Sequence, residues 1–209
     1  MEINHQLRLQ SNLEDQKNSF HRQTEGSDIQ GPSNKVFVIH GRNLKARDSM
    51  FTFLRSIGLH PIEWSEAVLA TSKGSPYVGE ILDTAFSIAQ AVLVLMTPDD
   101  EVRLREPFRE LGDQTHETQF TPQARPNVLY EAGIAMGRFP NRTILVELGA
   151  LRHISDIGGR HVIRLDNTTQ RRQELALRLK ACGCLVNLSG TDWHTAGDFG
   201  VDQPQSFYC

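Results

Sequence analysis

The run Arg125-Pro126-Asn127-Val128-Leu129-Tyr130-Glu131-Ala132-Gly133-Ile134-Ala135-Met136-Gly137 sets one carboxylate among small and apolar residues at a helix start. Pro126 steers Arg125 away from helical geometry, Asn127 is a good N-cap, and the following residues favour a buried helix. Glu131 therefore falls in the first turn or just beyond. A carboxylate there points into whatever cleft the helix faces, where it can stabilise developing positive charge or act as a nucleophile. The alternative is a Glu favoured by the positive end of the helix dipole and otherwise solvated.

Other residues invite the same question. Gly41 directly follows an apolar run, so backbone there can approach a ligand, while Arg42 offers a fork for phosphate and Asn43 an amide. A tight turn with Arg42 and Asn43 solvated accounts for the same residues. The turn has one Gly where a dinucleotide-binding fingerprint needs three, and no phosphate-cradling loop of the Gly-x4-Gly-Lys-Ser/Thr type occurs. Trp64, in Glu63-Trp64-Ser65-Glu66 at the end of a strand, can stack on an aromatic base or pack in a core. Ser75, before Pro76, reads as an N-cap. Asp99 and Asp100, after Thr97-Pro98, read as turn and cap residues or as a second acidic group near Glu131. Trp193, in the compact loop Gly190–Gly197, reads as a packing residue. The eight His residues are dispersed and Cys182-Gly183-Cys184 lacks a two-residue spacer, so no metal site or redox pair is legible and no cofactor is expected.

Elements of a particular kind must position these groups. In a chain of 209 residues, 39% hydrophobic and 22% charged, there is room for one ordinary domain with appendages. The net charge of −3, with bases scattered among acids, argues against a nucleic-acid partner. No apolar run approaches a membrane span and the polar start lacks a signal-peptide core, which predicts a cytoplasmic protein without a membrane partner. Residues 1–34 read as a polar tail or linker with room for a short helix from Leu7 to Asn18, 35–188 as the domain, and 189–209 as a C-terminal extension.

Within the domain, nearly continuous apolar runs alternate with helical periodicity, the pattern of strands buried on both faces of a parallel sheet. Strands are predicted at 35–40, 59–64, 91–96, 143–147 and 161–165. Pro61 marks the second as an edge. Helices are predicted from Ala46 to Ile57, from Val78 to Ala89, around Glu131 and over 169–181, with a short apolar run at 184–188. A long polar stretch, 99–125, precedes the Glu131 helix. The repeated unit predicts an α/β doubly wound sheet with strand order 2-1-3-4-5. Its crevice should open where strands 1 and 3 part at their carboxyl ends, gathering His40–Asn43, Thr97–Asp100 and the Glu131 helix.

The set Lys35–Asn43, Pro61–Glu66 with Lys73-Gly74, Val94–Asp100 and Arg125–Gly133 resembles the TIR-like family of predicted nucleotide-binding proteins, which includes TIR domains of bacterial cyclic-nucleotide-activated anti-phage effectors. The resemblance spans about residues 35–188. It implies a flavodoxin-like, TIR-like fold and cleavage of NAD+ between nicotinamide and ribose, an NAD+ nucleosidase (NAD glycohydrolase) reaction. By similarity Glu131 is the catalytic carboxylate, and Gly41, Arg42, Trp64 and Glu66 line the cleft. A cationic nicotinamide leaves without acid assistance, so one carboxylate suffices where ordinary glycosidases need two. The resemblance also implies assembly into a homo-oligomer or filament and an activating ligand or partner protein, with NAD as substrate. Two other readings stay open: a non-catalytic nucleotide-binding or signalling module, and a nucleoside deoxyribosyltransferase-like enzyme. The sequence shows no appended cyclic-dinucleotide sensor of recognisable size, and its 99–125 insertion is longer than expected for such a domain.

Overall fold

The computed structural model describes residues 32–200, apart from 153, 158 and the side chain of Asp156. Most of the expected 1–34 tail, including the helix proposed at Leu7–Asn18, and residues 201–209 lie outside the described residues.

Five strands form one parallel sheet: β1 Lys35–His40, β2 His60–Ile62, β3 Ala91–Met96, β6 Thr143–Leu148 and β7 Ile163–Leu165. Their spatial order is β2-β1-β3-β6-β7, with β2 at one edge as Pro61 predicts. Setting aside a separate hairpin, β4 Asp100–Val102 and β5 Thr121–Gln123, this is the expected order 2-1-3-4-5. The fold is a doubly wound α/β sheet. On one face lie α1 Leu44–Ser56 and α6 Thr169–Ala181; the other carries α2 Trp64–Ala70, α3 Val78–Ile88 and α5 Pro126–Arg138.

The two faces explain the unbroken apolar strands. Along β1, Val36 and Val38 join the core under α1 and α6, while Phe37 and Ile39 join the core under α3 and α5. In β3, Ala91, Leu93 and Leu95 face the first core and Val92, Val94 and Met96 the second. Side chains alternate sides along a strand, so a sheet covered twice needs apolar residues at every position.

Several local expectations shift. The predicted second strand stops at Ile62 and Trp64 opens α2, because Glu63 takes extended N-cap geometry. Pro126 is the first residue of α5 and Arg125 its N-cap, displacing Asn127; the fixed proline φ suits the first helical position and needs no N–H there. Tyr77, not Ser75, caps α3, with its amide donating to the Glu80 carboxylate at 3.0 Å. The run 184–188 forms no strand and adds only an isolated bridge between Cys184 and Ser33. The 99–125 insertion holds the β4–β5 hairpin and the one-turn helix α4 Thr115–Thr118.

Both expected domain edges move outward. Asn34 accepts from the His60 amide at 2.7 Å and Ser33 from the Leu185 amide at 3.1 Å, so the body begins before Lys35. Trp193 and Phe199 are buried in the core beside α1 and α6, and Phe199 meets Phe53 edge-on at 6.2 Å. The buried Arg172 guanidinium of α6 donates to the carbonyls of Asn167, Ala196 and Gly197 and lies 5.1 Å from the Phe199 ring centre. Residues beyond 188 are therefore packed into the domain through Gly200.

Candidate active site

Glu131 sits one residue before Ala132 on α5, whose Val128, Ala132 and Ala135 form the buried stripe. Four-residue helical spacing puts Glu131 at the margin of that stripe, half in the core and half above the carboxyl end of β1. It lines a cavity of about 250 Å³. The polar side chains around it are His40, Arg47, Glu63, Trp64 and Glu131; the apolar lining comes from Phe37, Val38, Ile39, Phe51 and Ile62. Among the described residues no cation or hydrogen-bond donor partners the Glu131 carboxylate, and burial alone pushes its pKa upward.

The neighbouring groups are committed differently. Arg47 pairs with Asp48 at 2.6 Å and lies 5.7 Å from the Phe51 ring centre, with Arg55 over the same ring. Arg55 in turn reaches Glu63 at 3.4 Å. Trp64, 45% exposed at the first position of α2, forms a rim that a planar group can stack on. His40 Nδ1 lies 2.8 Å from the Gly41 carbonyl oxygen. A carbonyl only accepts, so Nδ1 carries the proton and Nε2 is left with no partner among the described residues.

At the split between β1 and β3, where strand order predicts the crevice, a smaller pocket of about 120 Å³ is lined by Asn43, Ala46, Pro98 and Leu148, and Asp99 ties the turns after the two strands together. One carboxylate oxygen accepts from the Arg42 amide at 2.6 Å and the other from the buried Thr97 hydroxyl at 2.7 Å. A Cβ on Gly41 would stand 1.9 Å from Asp99 Oδ2, with Arg125 Cδ 3.6 Å away. Gly41 thus leaves room for Asp99, which latches the two turns together and lies outside the lining of the Glu131 cavity. The cavity opens one step over, between β1 and the start of α2.

The other expected site residues divide clearly. Asn43 is the N-cap of α1, its side chain accepting from the Ala46 amide at 3.0 Å. The Arg42 side chain is exposed beside the latch and outside the cavity lining. Glu66 leaves the site altogether: it binds His60 at 2.9 Å and Lys35 at 3.7 Å, at the amino ends of β2 and β1. Its hydrogen bond to His60 and the charges of His60 and Lys35 hold its pKa below the usual carboxylate value. The reason is geometric, since α2 begins at Trp64 and two residues on the helix has turned away from the cavity. Arg47, Phe51 and Glu63 are lining residues that pattern reading missed. Arg47 and Phe51 stand four apart on α1, a pairing visible once the Asn43 cap sets the helix phase.

Residues 35–167 match the model of the family described as CAP12/Pycsar effector protein, TIR domain. The chain belongs to that family. The match contains the sheet through β7, the Asp99 latch and every residue lining the Glu131 cavity. Over 152 residues, 72% of this chain, the sequence is also 30% identical to the uncharacterized protein YuaY of Escherichia coli (strain K12). That stretch spans 46% of YuaY, so the chain matches about half the length of this relative. Among the described residues no helix is long and apolar enough to cross a membrane.

Proposed function

We propose that this TIR domain is an NAD+ nucleosidase of the anti-phage effector type, with Glu131 as its catalytic carboxylate. The observation that carries the reading is a partly buried carboxylate with no partner among the described residues, at the wall of a cavity rimmed by an exposed indole. An unpartnered carboxylate is costly in an apolar setting and is repaid when a cationic group enters. The nicotinamide-ribosyl end of NAD+ is such a group. As the bond from the ribose anomeric carbon to the nicotinamide nitrogen lengthens, its electron pair leaves with neutral nicotinamide and the positive charge moves onto the ribose. Glu131 faces that charge at its greatest development, the condition for lowering a barrier and not merely for binding.

The cavity, about 250 Å³, is below the roughly 300–1,000 Å³ of sites that enclose a drug-sized ligand. The reading therefore seats only the nicotinamide-ribose half inside, with Trp64 stacking on a ring and the exposed Arg42 available to the diphosphate. Assembly and an activating cyclic nucleotide belong to the same proposal. Exposed Leu69, Tyr77 and Val78 beside α2 and α3, with Phe108, Leu111 and Phe120 on the insertion, offer apolar surface for a second copy.

The test is release of free nicotinamide from NAD+ by the full chain over a wide range of protein concentration, with and without added cyclic nucleotides. Glu131→Gln keeps size and removes the charge, so turnover should fall on the order of a hundredfold or more, the scale of one transition-state charge partner. Turnover retained by folded Glu131→Gln defeats the assignment. Tight nucleotide binding without turnover by the wild type supports a non-catalytic module instead.

A further inference from the structure

We propose that His40 is a second catalytic residue of this cavity, the base that takes the proton from the water that captures the ribosyl cation. The inference rests on the nucleosidase reading of Glu131 and adds the group which that reading leaves without an owner.

Hydrolysis of a cationic glycoside needs no acid at the leaving group, but it needs two other things. A negative charge must face the oxocarbenium ion, and a proton must be accepted from the attacking water. One carboxylate serves both poorly, since accepting the proton removes the charge at the moment it is needed. The titratable groups lining the cavity are His40, Arg47, Glu63 and Glu131. Arg47 is a permanent cation, paired with Asp48. Glu63 is held by Arg55 and its backbone caps α2. His40 remains. Its Nδ1–H is committed to the Gly41 carbonyl, which fixes the tautomer in which Nε2 bears the lone pair. That carbonyl belongs to the turn pinned by Asp99 through the Arg42 amide and the Thr97 hydroxyl, so the anchor of the imidazole is itself anchored.

The step balances. The bond between the anomeric carbon and nicotinamide breaks, and its electron pair leaves on nicotinamide. The water oxygen bonds to the anomeric carbon, and its proton passes to His40 Nε2. The imidazolium then loses that proton to solvent. The sum is NAD+ and water giving nicotinamide, ADP-ribose and one proton, with Glu131 ionised throughout.

Three variants and one spectrum decide the matter. In His40→Asn the side-chain amide can still donate to the Gly41 carbonyl but offers no base. With the wild type active and Glu131→Gln inactive, kcat of His40→Asn should fall on the order of a hundredfold with little change in KM, within the range for a general base. Added imidazole should restore part of the turnover of His40→Ala, which a merely structural role would not allow. A His40→Asn kcat close to the wild-type value overturns this proposal and leaves Glu131 untouched. Two-bond ¹H–¹⁵N correlation spectra of the labelled full chain, with the His40 signal identified by its loss in His40→Asn, should show a protonated Nδ1 and a bare Nε2. A proton on Nε2 of the neutral ring overturns the proposal independently of turnover. A wild type that releases no nicotinamide at high protein concentration with cyclic nucleotide added defeats both readings together.

Discussion

Replacing Gly41 by Ala isolates the latch between β1 and β3. Gly41 has no left-handed φ, so Ala is allowed by the backbone and the cost must come from the neighbour. The new methyl carbon would stand 1.9 Å from Asp99 Oδ2 and 3.0 Å from its Cγ, and the carboxylate must swing away. Asp99 is not a free chain end: it accepts from the Arg42 amide at 2.6 Å and the Thr97 hydroxyl at 2.7 Å. Hydrogen bonds to a charged group contribute roughly 1.5–3 kcal/mol each. The Arg42 amide lies at the surface, where water replaces part of the loss, whereas the Thr97 hydroxyl is buried and stays unsatisfied. Against this, Gly→Ala at an allowed φ gains about 0.4–1 kcal/mol through the unfolded chain. The net cost of Gly41→Ala should be about 2–3 kcal/mol, a fall in Tm of roughly 5–10 °C for a domain of this size. In an Asp99→Ala background there is nothing to strike, so the same substitution should be neutral or slightly stabilising. Urea unfolding of the four proteins of this cycle gives the coupling directly. Equal cost of Gly41→Ala with and without Asp99 would refute the latch.

Four further outcomes test other parts of the structure. Burial raises the Glu131 pKa, so in a His40→Asn background, where Glu131 is the group that must stay ionised, the acid limb of the residual kcat/KM for NAD+ cleavage should be displaced upward from that of an ordinary carboxylate, with activity lost as pH falls through it. The limb of kcat should sit lower, because bound nicotinamide cation favours the ionised form; coincident limbs in the two pH profiles argue against direct contact. The same raised pKa means that the folded chain holds this proton more tightly than the unfolded one, so ionisation of Glu131 weakens the fold as pH rises. Glu131→Gln should therefore be the more stable protein at neutral pH in thermal melts, with the advantage vanishing below the unfolded carboxylate pKa. Trp64→Ala should weaken nucleotide affinity by roughly 1–3 kcal/mol, the range for a base-stacking aromatic, with Tm nearly unchanged because the indole is 45% exposed. Calorimetry showing unchanged affinity removes Trp64 from the site. Arg172→Met strips the carbonyls of Asn167, Thr168, Ala196 and Gly197 of a charged donor and should cost roughly 3 kcal/mol or more. Limited proteolysis should then cut first within residues 190–200; a resistant segment would show that Trp193 and Phe199 hold it alone.

Amino-acid sequence alone determined the sheet, its order and the helix that carries Glu131. The signals are local and repeated: Ala91–Met96 is apolar at every position because both faces of β3 are covered, and Thr168 followed by helical periodicity marks α6 over Thr169–Ala181 as observed. The sequence also placed Glu131 near the helix start, although the N-cap was misplaced by two residues. Contacts between residues far apart in the chain decided the rest. Asp99 meets Arg42 across 57 positions, a contact that ties together the turns after β1 and β3, while the larger cavity beside Glu131 lies towards α2. Glu66 faces His60 and Lys35 only because α2 starts two residues earlier, a phase that a seven-residue helix states too briefly to read. The β4–β5 pairing joins short polar strands with no periodicity of their own. Residues 190–200 look like an extension until Arg172 draws in the carbonyls of Ala196 and Gly197. Periodicity records which face of an element is buried; which side chains from different elements meet is set by how the helices lie on the sheet, and that is a property of the packed chain.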